Sequence, residues 1–430
     1  MKTKILNVLR KSDGYVSGQA LCNMLGVSRT AVWKVINQLK EEGYVIEAVQ
    51  NKGYHITQYP DILTSSEIMS QLTCVDTGST TGIIREVVYY DETDSTNNEA
   101  KRAAERDNAA DGTLYITESQ TGGRGRRGRN WVSPAGSGIW MSLLLRPDIA
   151  PVNASMLTIV AAMAVQEAIH KVLTEDGHDA ECRIKWPNDI VLNKKKVCGI
   201  LTEMSAEMDY IHYVVIGMGI NVNTTEFDDS IKATASSLYL ETGDHLKRSR
   251  IVAAFSESFA KYYDTFVKTQ NLAGLKEDYN SMLVNKGGDV KAIYADKEIV
   301  GKALGINDEG ELIIKTDEGD MDMFDENVVL CVSNSYEKKY YFNPDFDKLP
   351  DDVKNELKIM CVLFTEEVGG ILDMEFDEEG NLLFKSSADE GDLLYDEIAC
   401  GMLVKKYQYE KRELLESLEM FFKVFFLGME

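Results

Sequence analysis

Residues 122–131 read Gly-Gly-Arg-Gly-Arg-Arg-Gly-Arg-Asn-Trp and place four arginines and four glycines in a chain of formal net charge −24. A loop of this composition repels itself and has few side chains to pack, so it needs an anion to become ordered. Guanidinium groups and glycine N–H groups can clamp a phosphate or a carboxylate. The loop alone leaves three interpretations open: an anion clamp, a solvated basic turn, or an RNA-binding segment of the Arg/Gly kind.

Three of these glycines, Gly123, Gly125 and Gly128, also fit the G-x-G-x-x-G spacing of dinucleotide-binding loops. A loop of that kind opens a helix, whereas residues 129–136 (Arg-Asn-Trp-Val-Ser-Pro-Ala-Gly) cannot form one. The sequence also has no Walker A lysine motif. We therefore exclude both of these phosphate-binding folds.

Length and composition predict a multidomain globular protein. The chain has 430 residues, of which 44% are hydrophobic, and roughly two to four domains are expected at that length. No uninterrupted apolar run reaches the roughly 18 residues of a membrane span, and the first residues lack a signal-peptide core. We therefore expect a cytoplasmic protein with no membrane partner. Seven scattered cysteines without a C-x-x-C pair, and five histidines, indicate reduced thiols and no structural transition metal.

Charge is unevenly distributed along the chain. Residues 1–58 have a net charge of +4, whereas residues 334–430 have a net charge of −12. A basic N-terminal segment on an acidic chain indicates that nucleic acid is a partner of that end only.

Residues 1–60 have the pattern of a winged helix-turn-helix domain that binds DNA. A helix capped by Ser17 is followed by the turn 26–28 and by a third helix that Ser28 caps. Two short strands around residues 50–53 then form a wing.

The third helix exposes a polar face near its N-terminal end, where a recognition helix meets base edges, and the wing tip can reach a phosphate. The residues that we expect to contact DNA are Ser28, Arg29, Thr30, Trp33, Lys34 and Lys52. A three-helix protein-interaction module is the alternative, and the positive charge of this segment weighs against it.

Three further stretches place polar or small residues where a ligand can approach. Residues 94–97 (Asp-Ser-Thr-Asn) start a helix, whose hydroxyl and N–H groups suit a polar ligand head. Residues 185–189 (Lys-Trp-Pro-Asn-Asp) form a turn between strands, and residues 217–221 (Gly-Met-Gly-Ile-Asn) lie in a buried strand. Residues 156–173 are predicted to form a core helix. Lys185 could be a surface lysine whose aliphatic stem packs beside Trp186 and whose ammonium reaches water. We favour a role in ligand binding.

The arginine loop and these three motifs together resemble the biotin protein ligase family. They occur in the family's order, and the N-terminal winged helix matches its bifunctional ligase–repressor branch. The resemblance covers residues 1 to about 333. It implies an α+β multidomain fold with a winged helix-turn-helix domain (1–60), a linker (61–82), a central α/β ligase domain with a mixed sheet like that of class II synthetases (83–270) and a small SH3-like β-barrel (283–333).

The resemblance implies an ATP-dependent ligase. With Mg²⁺ present, the carboxylate of biotin would attack the α-phosphate of ATP and give biotinyl-5′-AMP and pyrophosphate. A lysine of the biotin carrier domain of a carboxylase would then take the biotinyl group. Because two anions must meet, the cations that the family supplies, here Arg124, Arg126 and Lys185, are the expected catalytic residues.

The resemblance also assigns binding residues. For biotin they are Ser95, Thr96, Asn97, Gln120, Gly123, Arg124, Gly125, Arg126, Lys185 and Leu201. For the nucleotide they are Arg126, Arg127, Trp131, Lys185, Asn188 and Asn221, and Trp131 is the expected adenine-stacking residue. No metal ligand of the protein is expected, since Mg²⁺ comes with ATP.

The same branch implies a biotin-responsive transcriptional repressor that binds operator DNA as a homodimer. Two alternatives stay open: a ligand-sensing winged-helix repressor without ligase activity, and a ligase for another acyl group such as lipoate. Residues 334–430 lie outside the family. The helix and hairpin patterns of residues 340–430 predict an acidic α+β domain for which no motif indicates an activity.

Overall fold

The computed structural model describes residues 1–72, 82–106, 109–126, 129–207, 210–294, 297–316, 319–323, 328–336, 338–343, 346, 348–377, 380–388 and 397–426. The chain forms two compact units. The first consists of Met1–Gly123 and Trp131–Met323, and the second consists of Arg124–Asn130 and Phe324–Glu430.

The predicted winged helix-turn-helix is confirmed at the N-terminus. It contains α1 (Lys2–Lys11), α2 (Gly18–Leu25) and α3 (Arg29–Glu41), followed by the antiparallel strands β1 (Val45–Val49) and β2 (Gly53–Gln58). The Ser17 hydroxyl accepts a hydrogen bond from Ala20 N at 3.0 Å and so caps α2. Ser28 caps α3 in the same way, and Gly26 ends α2 in the left-handed conformation that favours glycine.

The segment predicted as a linker, residues 61–82, is a packed part of the first unit as far as it is described. Helix α4 (Ser65–Leu72) buries Ile68 and Leu72 completely in the same hydrophobic core as the central sheet. Burying one such side chain stabilises the fold by about 1.5–3 kcal/mol, which a free linker would not gain. Residues 61–72 of the segment between the two domains thus contain a helix that packs on the central domain, and residues 73–81 lie outside the described chain.

A seven-stranded sheet forms the centre of the first unit. Its strands are β3 (Glu86–Thr93), β4 (Thr113–Gln120), β5 (Gly138–Leu145), β6 (Cys182–Lys185), β7 (Asp189–Leu192), β8 (Lys195–Glu207) and β9 (Tyr210–Asn221). They lie in the order β3-β4-β5-β9-β8-β7-β6, with β3 and β4 parallel and the other neighbours antiparallel. Parallel neighbours need a crossover, which α5 (Thr96–Arg106) supplies. The predicted mixed sheet is thus confirmed.

Four helices follow along the chain of the first unit: α6 (Met156–Glu175), α7 (Leu238–Thr242), α8 (Arg248–Thr269) and α9 (Lys276–Met282). The long helices α6 and α8 share one core with alternate residues of the central strands, such as Leu143 and Ile216. Pro151–Glu175 is apolar and long enough to cross a membrane, but 72% of its apolar window is buried inside the protein, which agrees with the predicted core helix. The other face of the sheet carries α5 over a smaller apolar cluster that includes Leu144 and Val215.

A small β domain closes the first unit. It is an antiparallel sheet of β10 (Asp289–Tyr294), β11 (Lys297–Ile306), β12 (Leu312–Thr316) and β13 (Gly319–Met323), arranged in chain order. Ala303 and Ile314 are completely buried in the main core of the unit, so this sheet packs on the central domain.

The second unit contains the predicted α+β domain, with β14 (Val328–Asn334), β15 (Lys339–Phe342), α10 (Asp351–Val368), β16 (Ile371–Phe376), β17 (Leu382–Ser387), α11 (Glu397–Glu410) and α12 (Arg412–Phe425). Its antiparallel sheet has the order β15-β14-β16-β17. Rings of Phe346, Phe376 and Phe422 stack in its core.

The boundary between the two β-containing domains differs from the expected one. Strand β14 was expected to end the barrel at residue 333, but it pairs with β15 and β16, and Cys331 lies opposite both Phe342 and Met374. The C-terminal domain therefore begins at Val328 rather than at residue 340, because the hydrogen-bonding partners of β14 all come from the C-terminal segment.

Candidate active site

The central sheet brings two distant motifs onto one face. Five neighbouring strands share a row whose members lie directly opposite one another: Lys185, Asp189, Gly199, Gly219 and Trp140. Directly opposite residues of antiparallel strands project to the same face of a sheet. Motifs 185–189 and 217–221 therefore meet on one face, with Lys185 on the outermost strand.

A second row, one pleat along, consists of Leu201, Gly217 and Ser142. Together with the first row it leaves Gly199, Gly217 and Gly219 as a patch without side chains, here called the glycine floor. A Cβ atom on Gly219 would lie 2.5 Å from Nε1 of Trp131, and one on Gly217 would collide with the side-chain oxygen of Asn97. Glycine is therefore required at both positions for Trp131 and Asn97 to lie against the sheet.

A buried polar cluster lies beside the glycine floor, at the start of α5. The Thr96 N–H donates to Gln120 Oε1 at 2.9 Å, and Ser142 Oγ lies 2.7 Å from Thr96 Oγ1. Ser142 also donates to Asn97 Oδ1. The structure thus brings Thr96, Asn97 and Gln120 together, with Ser95 next to them in the chain and also buried. Ser142 was not among the predicted residues, although a lone serine within the apolar strand β5 was a signal for it.

Glu203 and Lys101 belong to the same cluster and were also missed. Glu203 lies on β8 and is only 3% exposed. Its carboxylate accepts hydrogen bonds from the Asn97 amide and from the Lys101 ammonium. The available signal was an acidic residue in the middle of a predicted strand, but the register of the sheet was needed to show which face it occupies.

The indole of Trp131 covers part of the glycine floor. It lies against Gly199 and Gly219, and the Lys196 ammonium is 5.3 Å from its ring centroid. Lys196 also pairs with Asp189 at 2.6 Å. Trp131 Nε1 is buried and makes no hydrogen bond to any residue that the structure describes. A buried donor of this kind points to an acceptor on a ligand.

The other predicted residues of the first unit lie around this floor. Lys185 is exposed and Leu201 is half-buried. The Asn188 amide donates to the Ile200 carbonyl at 2.9 Å, and the Asn221 amide donates to the Ser236 carbonyl at 3.2 Å. Both asparagines therefore fix backbone segments next to the floor.

The arginine loop is divided between the two units. In the first unit Trp131 N donates to Gly123 O at 2.9 Å. In the second unit Gly125 N donates to Arg129 O at 2.6 Å. Backbone pairing thus shapes both ends of the loop, whereas the ligand roles of Arg124, Gly125 and Arg126 stay predictions. Arg127 and Gly128 lie outside the described residues.

The predicted DNA-binding surface is exposed on the winged helix. Its members, all exposed, are Ser28, Arg29, Thr30, Trp33, Lys34 and Lys52. Within this group, Ser28 caps α3. The Arg29 guanidinium donates to Gln19 Oε1 on α2 at 2.8 Å and so connects the two helices. The geometry agrees with a recognition helix and a basic wing tip, and the base and phosphate contacts themselves stay predictions.

Glu67 on α4 joins the winged helix to the central domain, a role that the sequence did not indicate. Its carboxylate is 1% exposed and accepts hydrogen bonds from Arg10 at 2.7 Å, from the Tyr44 hydroxyl at 2.5 Å and from the Ser249 hydroxyl at 3.0 Å. Burial and the neighbouring Glu67 charge raise the pKa of Tyr44, so its hydroxyl remains a donor. Arg10 and Tyr44 belong to the winged helix and Ser249 to α8, so one carboxylate holds both domains.

Fold and site define a class of protein: a DNA-binding winged helix joined to an α/β domain with a ligand site on its sheet. Comparison with known proteins agrees. Family models match an HTH domain at residues 2–55, the biotin/lipoate A/B protein ligase family at residues 89–221 and the biotin protein ligase C-terminal domain at residues 287–330. Residues 327–430 match a family of unknown function, DUF6145, in agreement with the domain boundary before Val328.

Curated relatives match over most of their length. The bifunctional ligase/repressor BirA of Bacillus subtilis is 40% identical over 318 residues, 74% of this chain and 94% of that protein. BirA of Escherichia coli is 31% identical over 73% of this chain and 92% of that protein. Among solved structures, a biotin protein ligase from Aquifex aeolicus in complex with biotin and ATP is 30% identical with a TM-score of 0.48, covering 56% of this chain and 96% of that one. The chain belongs to the biotin protein ligase family.

Proposed function

We propose that this protein is an ATP-dependent biotin–protein ligase that also represses transcription in response to biotin. The observation that carries the proposal is the glycine floor, which has the polar cluster of α5 on one side and the row of Lys185 on the other. The hydroxyl and amide groups of the polar cluster suit the ureido ring of biotin, and a lysine suits the anions that react.

The proposed reaction has two steps. A carboxylate oxygen of biotin bonds to the α-phosphorus of ATP, the bond from that phosphorus to the bridging oxygen breaks, and pyrophosphate leaves. The amine of an acceptor lysine on a biotin carrier domain then bonds to the acyl carbon, AMP leaves, and the amine loses a proton. Both nucleophiles come from substrates, so the protein has to bind, orient and neutralise charge.

Biotin binding rests on the polar cluster and the second row of the sheet. Ser95, Thr96, Asn97 and Gln120 would bind the ureido head, and Leu201 would pack against the apolar chain. The residues assigned to the carboxylate end are Gly123, Arg124, Gly125, Arg126 and Lys185.

Charge neutralisation is assigned to Lys185, Arg124 and Arg126, which would act on the carboxylate and the α-phosphate. Mg²⁺ would enter this site with ATP, because it readily takes phosphate and water oxygens as ligands. When bound, it would lower the charge of the phosphates.

Nucleotide binding is assigned to Arg126, Arg127, Trp131, Lys185, Asn188 and Asn221. The Trp131 indole already covers the floor, and its buried N–H has no hydrogen-bond partner among the described residues, which supports its contact with the nucleotide. The amide nitrogens of Asn188 and Asn221 donate to backbone carbonyls, and their side-chain oxygens would accept hydrogen bonds from the nucleotide.

The repressor function is assigned to the winged helix acting in a homodimer. Its exposed basic surface supports contact with operator DNA, and the Glu67 cluster connects that surface to the ligand-binding domain. Binding of biotinyl-AMP would favour the dimer, and two winged helices would then occupy two half-sites.

The direct test uses the purified chain with Mg-ATP, radiolabelled biotin and a biotin carrier domain. We expect label on the acceptor lysine, and no transfer when lipoate replaces biotin. Binding of biotin without any transfer would leave a ligand-sensing repressor instead. Transfer of lipoate in preference to biotin would show a different acyl ligase.

A further inference from the structure

The C-terminal domain places three sulfur atoms next to one another in its core. Cys331 on β14 and Met374 on β16 lie directly opposite each other in the sheet, so their side chains project to the same face. Cys361 on α10 contacts both, with its Sγ 3.6 Å from Sγ of Cys331 and 3.4 Å from Sδ of Met374. All three residues are completely buried. Three separate elements thus bring two thiols and a thioether together.

This sulfur cluster has no counterpart in the spacing of the sequence. Cys361 is 30 residues from Cys331 and 13 residues from Met374. The expectation of no structural transition metal rested on the absence of closely spaced cysteine and histidine ligands. Strand register and helix packing bring the three sulfurs together instead.

The ligand set of the sulfur cluster favours a soft cation. Thiolate and thioether ligands select Cu⁺, zinc or iron–sulfur clusters, whereas carboxylate and carbonyl oxygens suit Mg²⁺ and Ca²⁺. Structural zinc takes four ligands from Cys, His, Asp and Glu side chains. In the part of the chain that the structure describes, no three side chains of these types are grouped to hold a metal ion. Two thiols and a thioether therefore fit Cu⁺ better than zinc.

The spacing of the sulfurs requires little rearrangement to admit an ion. With a metal–sulfur bond of about 2.3 Å, three sulfurs around one ion lie about 4 Å apart. The two measured distances are 3.6 Å and 3.4 Å, so an expansion of about half an ångström is sufficient. The hydrogen bond with Cys331, and then burial, raise the pKa of the Cys361 thiol, so a bound cation has to displace its proton.

A tyrosine lies where it can stabilise a charged sulfur. The Tyr340 hydroxyl on β15 is buried and makes no hydrogen bond of regular geometry to any described residue. Burial, and then the neighbouring Cys331, raise the pKa of Tyr340, so the hydroxyl keeps its proton. A buried donor without a partner indicates a missing acceptor. A metal-bound thiolate at Cys331 would be that acceptor, and hydrogen bonds to ligands of this kind strengthen metal binding.

We propose that Cys331, Cys361 and Met374 form a binding site for one Cu⁺ ion. On binding, Cu⁺ bonds to the two cysteine sulfurs and to the methionine sulfur, and both thiol protons are released. Neither the copper nor the sulfurs change oxidation state. The site goes beyond the proposed ligase and repressor function, because all three ligands lie in residues 327–430, outside the ligase family matches.

The test is an anaerobic titration of the full chain with Cu⁺ in the presence of bicinchoninate, a coloured chelator that competes for the ion. Because the site is buried and has to open locally, each mixture is followed until its absorbance is constant. We expect the wild type to withhold one Cu⁺ per chain from the chelator. X-ray absorption should then show three sulfur neighbours at about 2.3 Å from the copper.

Two double variants show which cysteines hold the ion. Cys331→Ala with Cys361→Ala should lose it. Cys182→Ala with Cys198→Ala removes two other buried cysteines, which lie in the first unit, and should keep it. Met374→Leu conserves side-chain volume and leaves both thiols in place, so it folds if the cysteine variant does not. We expect it to raise the Kd for Cu⁺ at least about tenfold and to leave two sulfur neighbours.

Tyr340→Phe tests the hydrogen bond to the ligand. It should weaken Cu⁺ binding about tenfold and leave all three sulfur neighbours in place. A wild type that releases all its copper to the chelator, or that holds Zn²⁺ in preference to Cu⁺, would overturn the proposal. So would copper held equally by the folded Cys331→Ala, Cys361→Ala variant, or a Met374→Leu variant with the wild-type Kd and spectrum.

Discussion

The backbone of Gly219 lies directly under the indole of Trp131, and a Cβ atom at that position would be 2.5 Å from Nε1. Two residues that are far apart in the sequence thus depend on each other. Trp131 can cover the glycine floor only because the strand below it has no side chain there.

Gly219→Ala should displace Trp131 and weaken the binding of ATP more than that of biotin. An extra methyl group in a tight site typically costs about 1–3 kcal/mol, so we expect the KM for ATP to rise roughly fivefold to a hundredfold. Adenylation kinetics at varied ATP measure this. Gly14→Ala is the control, because a Cβ there meets no atom within 4 Å. An unchanged KM for ATP in Gly219→Ala would contradict the contact.

Glu67→Ala should loosen the winged helix from the central domain. It leaves the buried donors of Arg10, Tyr44 and Ser249 without their shared acceptor, and removing one partner from a buried charge cluster typically costs about 3–5 kcal/mol. Urea denaturation should show this loss, and scanning calorimetry should show a separate, earlier transition of the winged helix. Glu86→Ala, an exposed site on β3, is the control. A single transition at the wild-type midpoint would disprove the joining role.

Arg102→Met should change the acid stability of the protein. Hydrogen bonds from Arg102 hold the pKa of Asp94 well below its usual range. A depressed pKa contributes stability above the unfolded value of about 4, and that contribution is lost as the pH falls further. The stability difference between wild type and variant should therefore shrink below about pH 4. Denaturation at a series of pH values tests this, with Arg106→Met on the same helix as control, and a difference that is constant with pH would count against it.

Lys52→Ala should weaken DNA binding without changing sequence preference. A wing-tip lysine that contacts a phosphate contributes about one unit to the slope of log affinity against log salt, so the variant's slope should be smaller by about one. Fluorescence anisotropy with a DNA site selected from a random pool measures both quantities, in the presence of biotin and ATP. Lys4→Ala, also exposed, is the control. A salt slope equal to that of the wild type would show that Lys52 does not contact a phosphate.

Local signals allowed much of the fold to be predicted. The caps Ser17 and Ser28 and the glycine that ends α2 act within one turn of their helices, and the structure shows all three as expected. The apolar composition of residues 156–173 likewise indicated the core helix α6.

Non-local pairing explains what the sequence did not show. The strand pattern of β14 was visible, but its partners β15 and β16 depend on pairing across the fold, so its domain was misassigned. No local pattern distinguished Glu67 on α4 or Glu203 on β8 as a functional residue. Their importance comes from donors more than 90 positions away or on other elements, such as Asn97 and Ser249.

The measurement that tests the central claim most directly is mass spectrometry of a biotin carrier domain after incubation with Mg-ATP, biotin and either the wild type or Lys185→Gln. We expect the wild type to add one biotinyl group to the acceptor lysine. The variant should form biotinyl-AMP at least about a hundredfold more slowly, because a cation aimed at developing charge typically contributes that much. An unmodified acceptor with the wild type, or a variant that adenylates biotin at the wild-type rate, would contradict this account.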